Sequence, residues 1–229
     1  MDQRVAFIDL DETLVSTGAL SSNGRMLFLG KDREKEVVDS YTKDRKDFLA
    51  GDTSALAARA TQKEIFIISS FEEEDLSKDP YITALRPHAR QFLTEISNIF
   101  DEVNILTTGQ TAFQSNVLKL HSIDHFFDNV YGKQEIRKSQ LSPLTTSKNV
   151  ILVDDNCQIG SIGWMSKMTS IGVITDEMHQ KMNQMRYEEK EQFLLRLSEP
   201  HFFCAKVWQG DPSDNDLLVI LQKMLSSGF

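Results

Sequence analysis

The chain alternates short apolar runs with stretches whose apolar residues recur every three or four positions. Residues 4–8 (RVAFI), 102–106 (EVNIL), 149–153 (NVILV) and 170–174 (SIGVI) are the runs. Their continuous apolar character, bounded by polar residues, predicts strands buried on both faces of a parallel sheet. Between them, 87–100 sets Phe92, Ile96 and Ile99 on one helical face, and 111–121 gathers Phe113, Val117, Leu118 and Leu120. Strands alternating with helices predict an α/β fold, a central parallel sheet covered on both faces, with ligands bound beyond the carboxyl ends of the strands.

Residues 18–79 break this rhythm. A strand at 25–29, a charged helix at 32–49, an Ala-rich helix from Thr53 and a strand at 64–70 precede the acidic FEEED segment. The segment reads as an α/β cap inserted after the first strand, into a core made of residues 1–17 and 80–229. Beyond the fourth core strand the pattern predicts a Met- and charge-rich helix at 176–197, capped by Asp176 or Thr175. A strand-like AKVW and a helix at 214–225 close the core.

Composition narrows the classes. Of 229 residues, 40% are hydrophobic and 26% charged, the balance of a globular protein, and the net charge of −9 argues against a broad nucleic-acid footprint. The opening MDQRVAFIDLDETL interrupts its short apolar run with carboxylates, so neither a secretory signal nor a membrane span is expected there. Cys157 and Cys204 lack zinc-ligand spacing. They are expected to be buried free thiols, with cytoplasmic residence as the default.

The candidate chemistry lies at two strand ends. Asp9 and Asp11 follow the first strand in FIDLDETL, and Asp154-Asp155 closes NVILVDD. Parallel neighbours would bring these pairs together, where carboxylates repel one another unless a cation neutralises them; oxygen-only ligands favour Mg²⁺. The competing reading of the first pair is an acidic helix N-terminus.

With a strand ending in Thr and a later Lys, these motifs resemble the four motifs of the haloacid dehalogenase (HAD) superfamily phosphatases. Within that superfamily the chain looks most like the FCP/SCP group, phosphatases of the RNA polymerase II C-terminal domain. DLDETLV, LRPHARQFLTEISNIFDEVNILTTG, the placement of Lys138 sixteen residues before Asp154, and VWQGDPSDNDLLVILQKML carry that resemblance. It covers 2–15, 85–155 and 206–225. It departs in the helical cap, where a short β-flap is expected, and in the longer 156–205 segment, so substrate identity does not carry over.

The resemblance implies a Rossmann-like HAD core and a Mg²⁺-dependent phosphomonoesterase acting through an aspartyl-phosphate, on a phosphoprotein or a small phosphorylated metabolite. Asp9 would be the nucleophile and Asp11 the general acid and base, with Thr13 supporting their turn. Thr107, or Thr108 if the register shifts by one, would bind a phosphoryl oxygen beside the backbone N–H groups of Thr108 and Gly109. Lys138 would neutralise the phosphoryl charge, with Lys133 and Lys148 as rivals. Asp9, the Asp11 backbone carbonyl, Asp154 and Asp155 would hold the metal, and Asn156 would orient a metal-bound water or serve as a turn residue.

A phosphotransferase or mutase using the same intermediate, and a catalytically silent protein-binding module, are the alternatives. The five histidines show no ligand spacing and are expected at the surface or at helix ends. Trp164 and Trp208 are expected to be core or cap contacts. The expected partner is a phosphorylated substrate, with no role for a membrane.

Overall fold

The computed structural model describes residues 3–19, 65–68, 81–137, 149–199, 201–208 and 213–229. Its strands are β1 (Arg4–Ile8), β2 (Val15–Ala19), β3 (Ile65–Ile68), β4 (Tyr81–Leu85), β5 (Glu102–Leu106), β6 (Asn129–Tyr131), β7 (Asn149–Asp154) and β8 (Phe202–Cys204). Its helices are α1 (Ala89–Ile99), α2 (Thr111–Leu120), α3 (Lys133–Arg137), α4 (Ile162–Ser170), α5 (Asp176–Met182), α6 (Tyr187–Ser198) and α7 (Asp216–Ser226). Five strands form a parallel sheet in the order β6-β5-β1-β7-β8, with β1 at its centre.

Side-chain alternation splits the core into two layers. Ala6, Ile8, Ile105, Ile151 and Val153 pack against Phe92 and Ile96 of α1 and Leu217 and Ile220 of α7. Val5, Phe7, Val150 and Leu152 face the other way, onto Trp164 and Met168 of α4, Met182 of α5 and Leu194 of α6. The sheet is therefore covered on both faces, as an all-parallel sheet requires.

The expected strand at 170–174 is instead the end of α4 and the turn after it. Gly172 adopts φ +73°, and Ile174 N–H returns to the Met168 carbonyl, a left-handed stop that turns Ile171 and Ile174 into the α4 layer. A short apolar run does not distinguish a strand from a buried helix end. The edge strands are β8 and β6, three residues each. The helix expected at 176–197 is two helices, α5, capped by the Thr175 hydroxyl accepting from Met178 N–H, and α6, whose entry is fixed by Arg186 N–H donating to Glu189. Residues 205–208 form no strand; Trp208 is buried and its N–H donates to the Glu12 carbonyl.

A second, antiparallel sheet in the order β2-β4-β3 begins just after the loop that follows β1. Within the expected cap, β3 falls inside the 64–70 strand, whereas the 25–29 strand and both helices lie outside the described residues. His121 ends α2 but is fully buried, where its Nε2 meets the Thr83 hydroxyl of β4 at 3.0 Å. The end of α2 is thereby tied to the antiparallel sheet.

Cys157 and Cys204 are exposed and joined in a disulfide, with Cα atoms 5.2 Å apart, correcting the expectation of buried free thiols. The sequence hides this pairing because 47 residues separate the two, while the β7–β8 register sets Cys204 beside Asp154. Among the described residues, no helix is long and apolar enough to cross a membrane.

Candidate active site

β1 ends in register with both neighbours, Ile8 opposite Ile105 of β5 and Val153 of β7. The residues that follow therefore meet at one edge of the sheet. Asp9 N–H donates to the Val153 carbonyl at 2.8 Å, and Thr107 N–H to the Tyr131 carbonyl at 2.9 Å, so both residues leave the sheet still anchored to it.

Asp9, Asp154 and Asp155 each offer a carboxylate oxygen within 4.8 Å of the others. Asp9 and Asp154 are buried and Asp155 is half-buried. Asp154 continues the alternation of Val150 and Leu152, and Asp9 that of Val5 and Phe7, so both belong to the layer covered by α4. There Lys167 meets them, its Nζ 3.0 Å from Asp9 Oδ1 and 2.6 Å from Asp154 Oδ2.

Sequence reasoning misses Lys167, although a signal exists. Trp164, Lys167, Met168 and Ile171 form the buried stripe of α4, and a lysine in such a stripe needs an anionic partner. Lys138, expected at the phosphoryl group, lies outside the described residues, as does Lys148. Lys133 is exposed on α3.

The electrostatics follow from burial. Burial raises the Asp9 carboxyl well above the usual carboxylate range against the pull of Lys167, and Asp154 and Asp155 push it the same way. Asp155 is raised by burial and by Asp154. Burial opposes the charge on Lys167, but Asp9 and Asp154 outweigh it and raise its pKa. Fully ionised, three carboxylates against one ammonium carry two negative charges, the balance a divalent cation supplies. The donors are oxygens throughout, so the residues fit Mg²⁺.

The surrounding loops are held by short-range bonds. Thr13, fully buried, accepts from Asp155 N–H at 3.0 Å and lies 3.3 Å from Asp155 Oδ1 through its hydroxyl. Glu12 sits in the left-handed region at φ 60°, the strained corner of the turn between Asp11 and Thr13. The Asp11 carboxylate stands outside the three-aspartate cluster, its Oδ2 2.6 Å from Gln114 Nε2.

Thr107 is buried and Thr108 exposed. The Gly109 N–H already donates to Thr107 Oγ1 at 3.1 Å, so this backbone donor is engaged within the loop. Asn156 N–H donates to Asp154 Oδ1 at 2.8 Å, and its side-chain amide to Ser161, the cap of α4. These bonds hold Asn156 in the turn that leads from β7 to α4.

No protein-family model matches the chain, and no curated protein matches it. Among solved structures, it is similar to Fcp1, an essential RNA polymerase II CTD phosphatase, at 16% identity and TM-score 0.49. An Fcp1 variant bound to beryllium fluoride aligns at 15% identity and TM-score 0.46; in both cases 98% of this chain and 62% of the other are covered. A haloacid dehalogenase-like family protein from Streptococcus pneumoniae aligns at 18% identity and TM-score 0.38, over 96% of this chain and 98% of that one. The chain thus spans about three-fifths of the Fcp1 chains. Likeness at this level assigns neither residues nor substrate.

Proposed function

We propose that the chain is a Mg²⁺-dependent phosphomonoesterase that forms an aspartyl-phosphate on Asp9. The observation that carries this reading is the strand-end cluster of Asp9, Asp154 and Asp155, whose charge Lys167 neutralises only in part. Bound there by Asp9, Asp154, Asp155 and the Asp11 carbonyl, Mg²⁺ supplies electrostatic stabilisation of the phosphoryl oxygens.

An Asp9 oxygen attacks phosphorus as the bond to the leaving oxygen breaks, and that oxygen takes a proton from Asp11. Water then attacks the phosphorus, gives a proton to Asp11, and releases phosphate and the free Asp9 carboxylate. Lys167 favours the ionised form of Asp9 against the effect of burial and aims its carboxylate. Lys138 is the candidate for the phosphoryl charge itself, and Thr107, whose hydroxyl accepts from Gly109, has its own proton to offer a phosphoryl oxygen. Residues 18–79 act as the cap that selects between phosphoprotein and small-metabolite substrates.

A screen of phosphorylated metabolites and phosphopeptides at fixed Mg²⁺ tests the reading and the substrate class together. Asp9→Asn is expected to lower turnover by about 10⁴-fold or more, since an amide has no nucleophilic carboxylate. Fluoroberyllate is expected to inhibit by occupying the phosphate position on Asp9. Substantial turnover by Asp9→Asn, or turnover indifferent to chelator, would sink the proposal.

A further inference from the structure

Gln114 reaches from α2 to the nucleophile loop by a side-chain hydrogen bond, and its position is unusual for its chemistry. It lies on the stripe that carries Val117 and Leu118, three and four residues further on, and is 2% exposed. An apolar residue is the default there. Its Oε1 is buried with no hydrogen-bond partner among the described residues, a cost that an apolar side chain would avoid. Against that stands one strong contact, Nε2 to Asp11 Oδ2 at 2.6 Å, a charge-assisted bond across 103 residues of sequence.

The surrounding backbone is shaped to admit the amide. Gly109 lies where a β-carbon would collide with the end of the Gln114 side chain, so the glycine at the tip of the β5 loop leaves room for it. Asp11 itself follows the nucleophile by two residues and precedes the left-handed Glu12, in a turn closed by Leu14 and Val15 N–H groups on the Leu10 carbonyl. Those bonds fix the backbone of the turn. They leave the plane of the Asp11 carboxylate to its side-chain partners.

We infer that Gln114 is a positioning residue for Asp11, holding one carboxylate oxygen so that the group faces the leaving oxygen in the geometry proton transfer needs. The inference rests on the proposed phosphatase function, in which Asp11 protonates the leaving group. Proton transfer by a side chain contributes about 10²–10⁴-fold to rate, so loss of its aim is expected to remove about tenfold to a hundredfold. The effect is read in kcat/KM, which reports the step that expels the leaving group, and it depends on that group. A leaving oxygen stable as an anion needs little protonation.

The test compares phenyl phosphate with p-nitrophenyl phosphate, substrates of similar size whose leaving groups differ in basicity, at saturating Mg²⁺. Gln114→Met keeps the length and shape of the side chain without the donor, and Gln114→Leu serves if that variant does not fold. Expected is a kcat/KM for phenyl phosphate lowered by about tenfold or more, a much smaller loss for p-nitrophenyl phosphate, and a melting temperature at or above that of the native chain. Equal losses on both substrates, or none, while Asp11→Asn shows the leaving-group dependence, would overturn the role of Gln114 alone. If Asp11→Asn lacks that dependence too, the assignment of Asp11 falls and the inference falls with it.

Discussion

Arg86 and Lys167 are both buried cations, each set between two aspartates, and they do opposite things. Arg86, 1% exposed, sends Nε and Nη2 to the two oxygens of Asp214 at 2.9 and 3.0 Å, and Nη1 to the Thr13 carbonyl at 3.0 Å. Asp216 adds a longer contact at 3.5 Å and itself accepts Lys206 N–H. The planar fork matches its carboxylate in bidentate geometry, and the cluster is spent on holding the end of β4, the turn through Thr13 and the start of α7 together. Lys167 is a compact point charge. It touches Asp9 and Asp154, yet when all three carboxylates are ionised it leaves net negative charge at the carboxyl end of the strands. The geometry of the cation separates a brace from the proposed reactive centre, and Thr13 joins the two by bonding Arg86 through its carbonyl and Asp155 through its hydroxyl.

Exchanging the two cations for apolar residues is the strongest attempt to break this contrast. Lys167→Met should lower kcat by about 10³-fold, roughly 4 kcal/mol of barrier, because the charge beside the nucleophile is lost. Lys167→Arg should not restore it, since a fork cannot occupy the place of a point charge. Arg86→Met should instead cost about 3–5 kcal/mol of stability by removing the guanidinium that Asp214 and Asp216 share, while kcat of the folded fraction changes less than about tenfold. Urea denaturation alongside turnover measures both. A stable, inactive Arg86→Met would reverse the two roles.

Mg²⁺ provides a milder discrimination. Binding at about a hundred times its dissociation constant should stabilise the native chain by about 2.7 kcal/mol, read as a rise in melting temperature that chelator reverses. Asp154→Asn should abolish the rise, whereas Arg86→Met should retain it in full from its lower starting point. An equal Mg²⁺ shift in Asp154→Asn would place the cation elsewhere.

The frame of this site is legible in the sequence because its signals are local. RVAFI and NVILV announce buried strands by unbroken apolar character, and the carboxylates behind them are visible in the same few residues. β6 and β8 escape detection since three-residue edge strands have no period to read. Lys167 and Gln114 escape for one shared reason: a polar residue in an apolar helical stripe reads as noise until the sheet shows that Asp9, Asp154 and Asp11 lie across from it. The disulfide needs the β7–β8 register, which no local pattern contains.

A third buried ionisable group sharpens the comparison with the smallest effect. At His121, burial and the nearby Arg90 guanidinium lower the pKa from 6.5 to about 3. It is therefore neutral in the folded chain across the physiological range, while the unfolded chain takes up a proton below 6.5. Since the unfolded state then binds more protons, stability from this group is present above pH 6.5 and is lost as pH falls toward 3, by up to about 1.4 kcal/mol per pH unit. His121→Leu gives up the Thr83 bond and should cost about 1 kcal/mol at pH 7. It should also remove this acid-side loss, so the gap between native and variant stability closes as pH is lowered through that window and then inverts. Urea midpoints at a series of pH values follow the gap directly. A gap that stays constant from pH 7 to pH 4 would mean that His121 accepts its proton inside the fold, with some counter-charge making the site resemble that of Lys167 more than its burial implies.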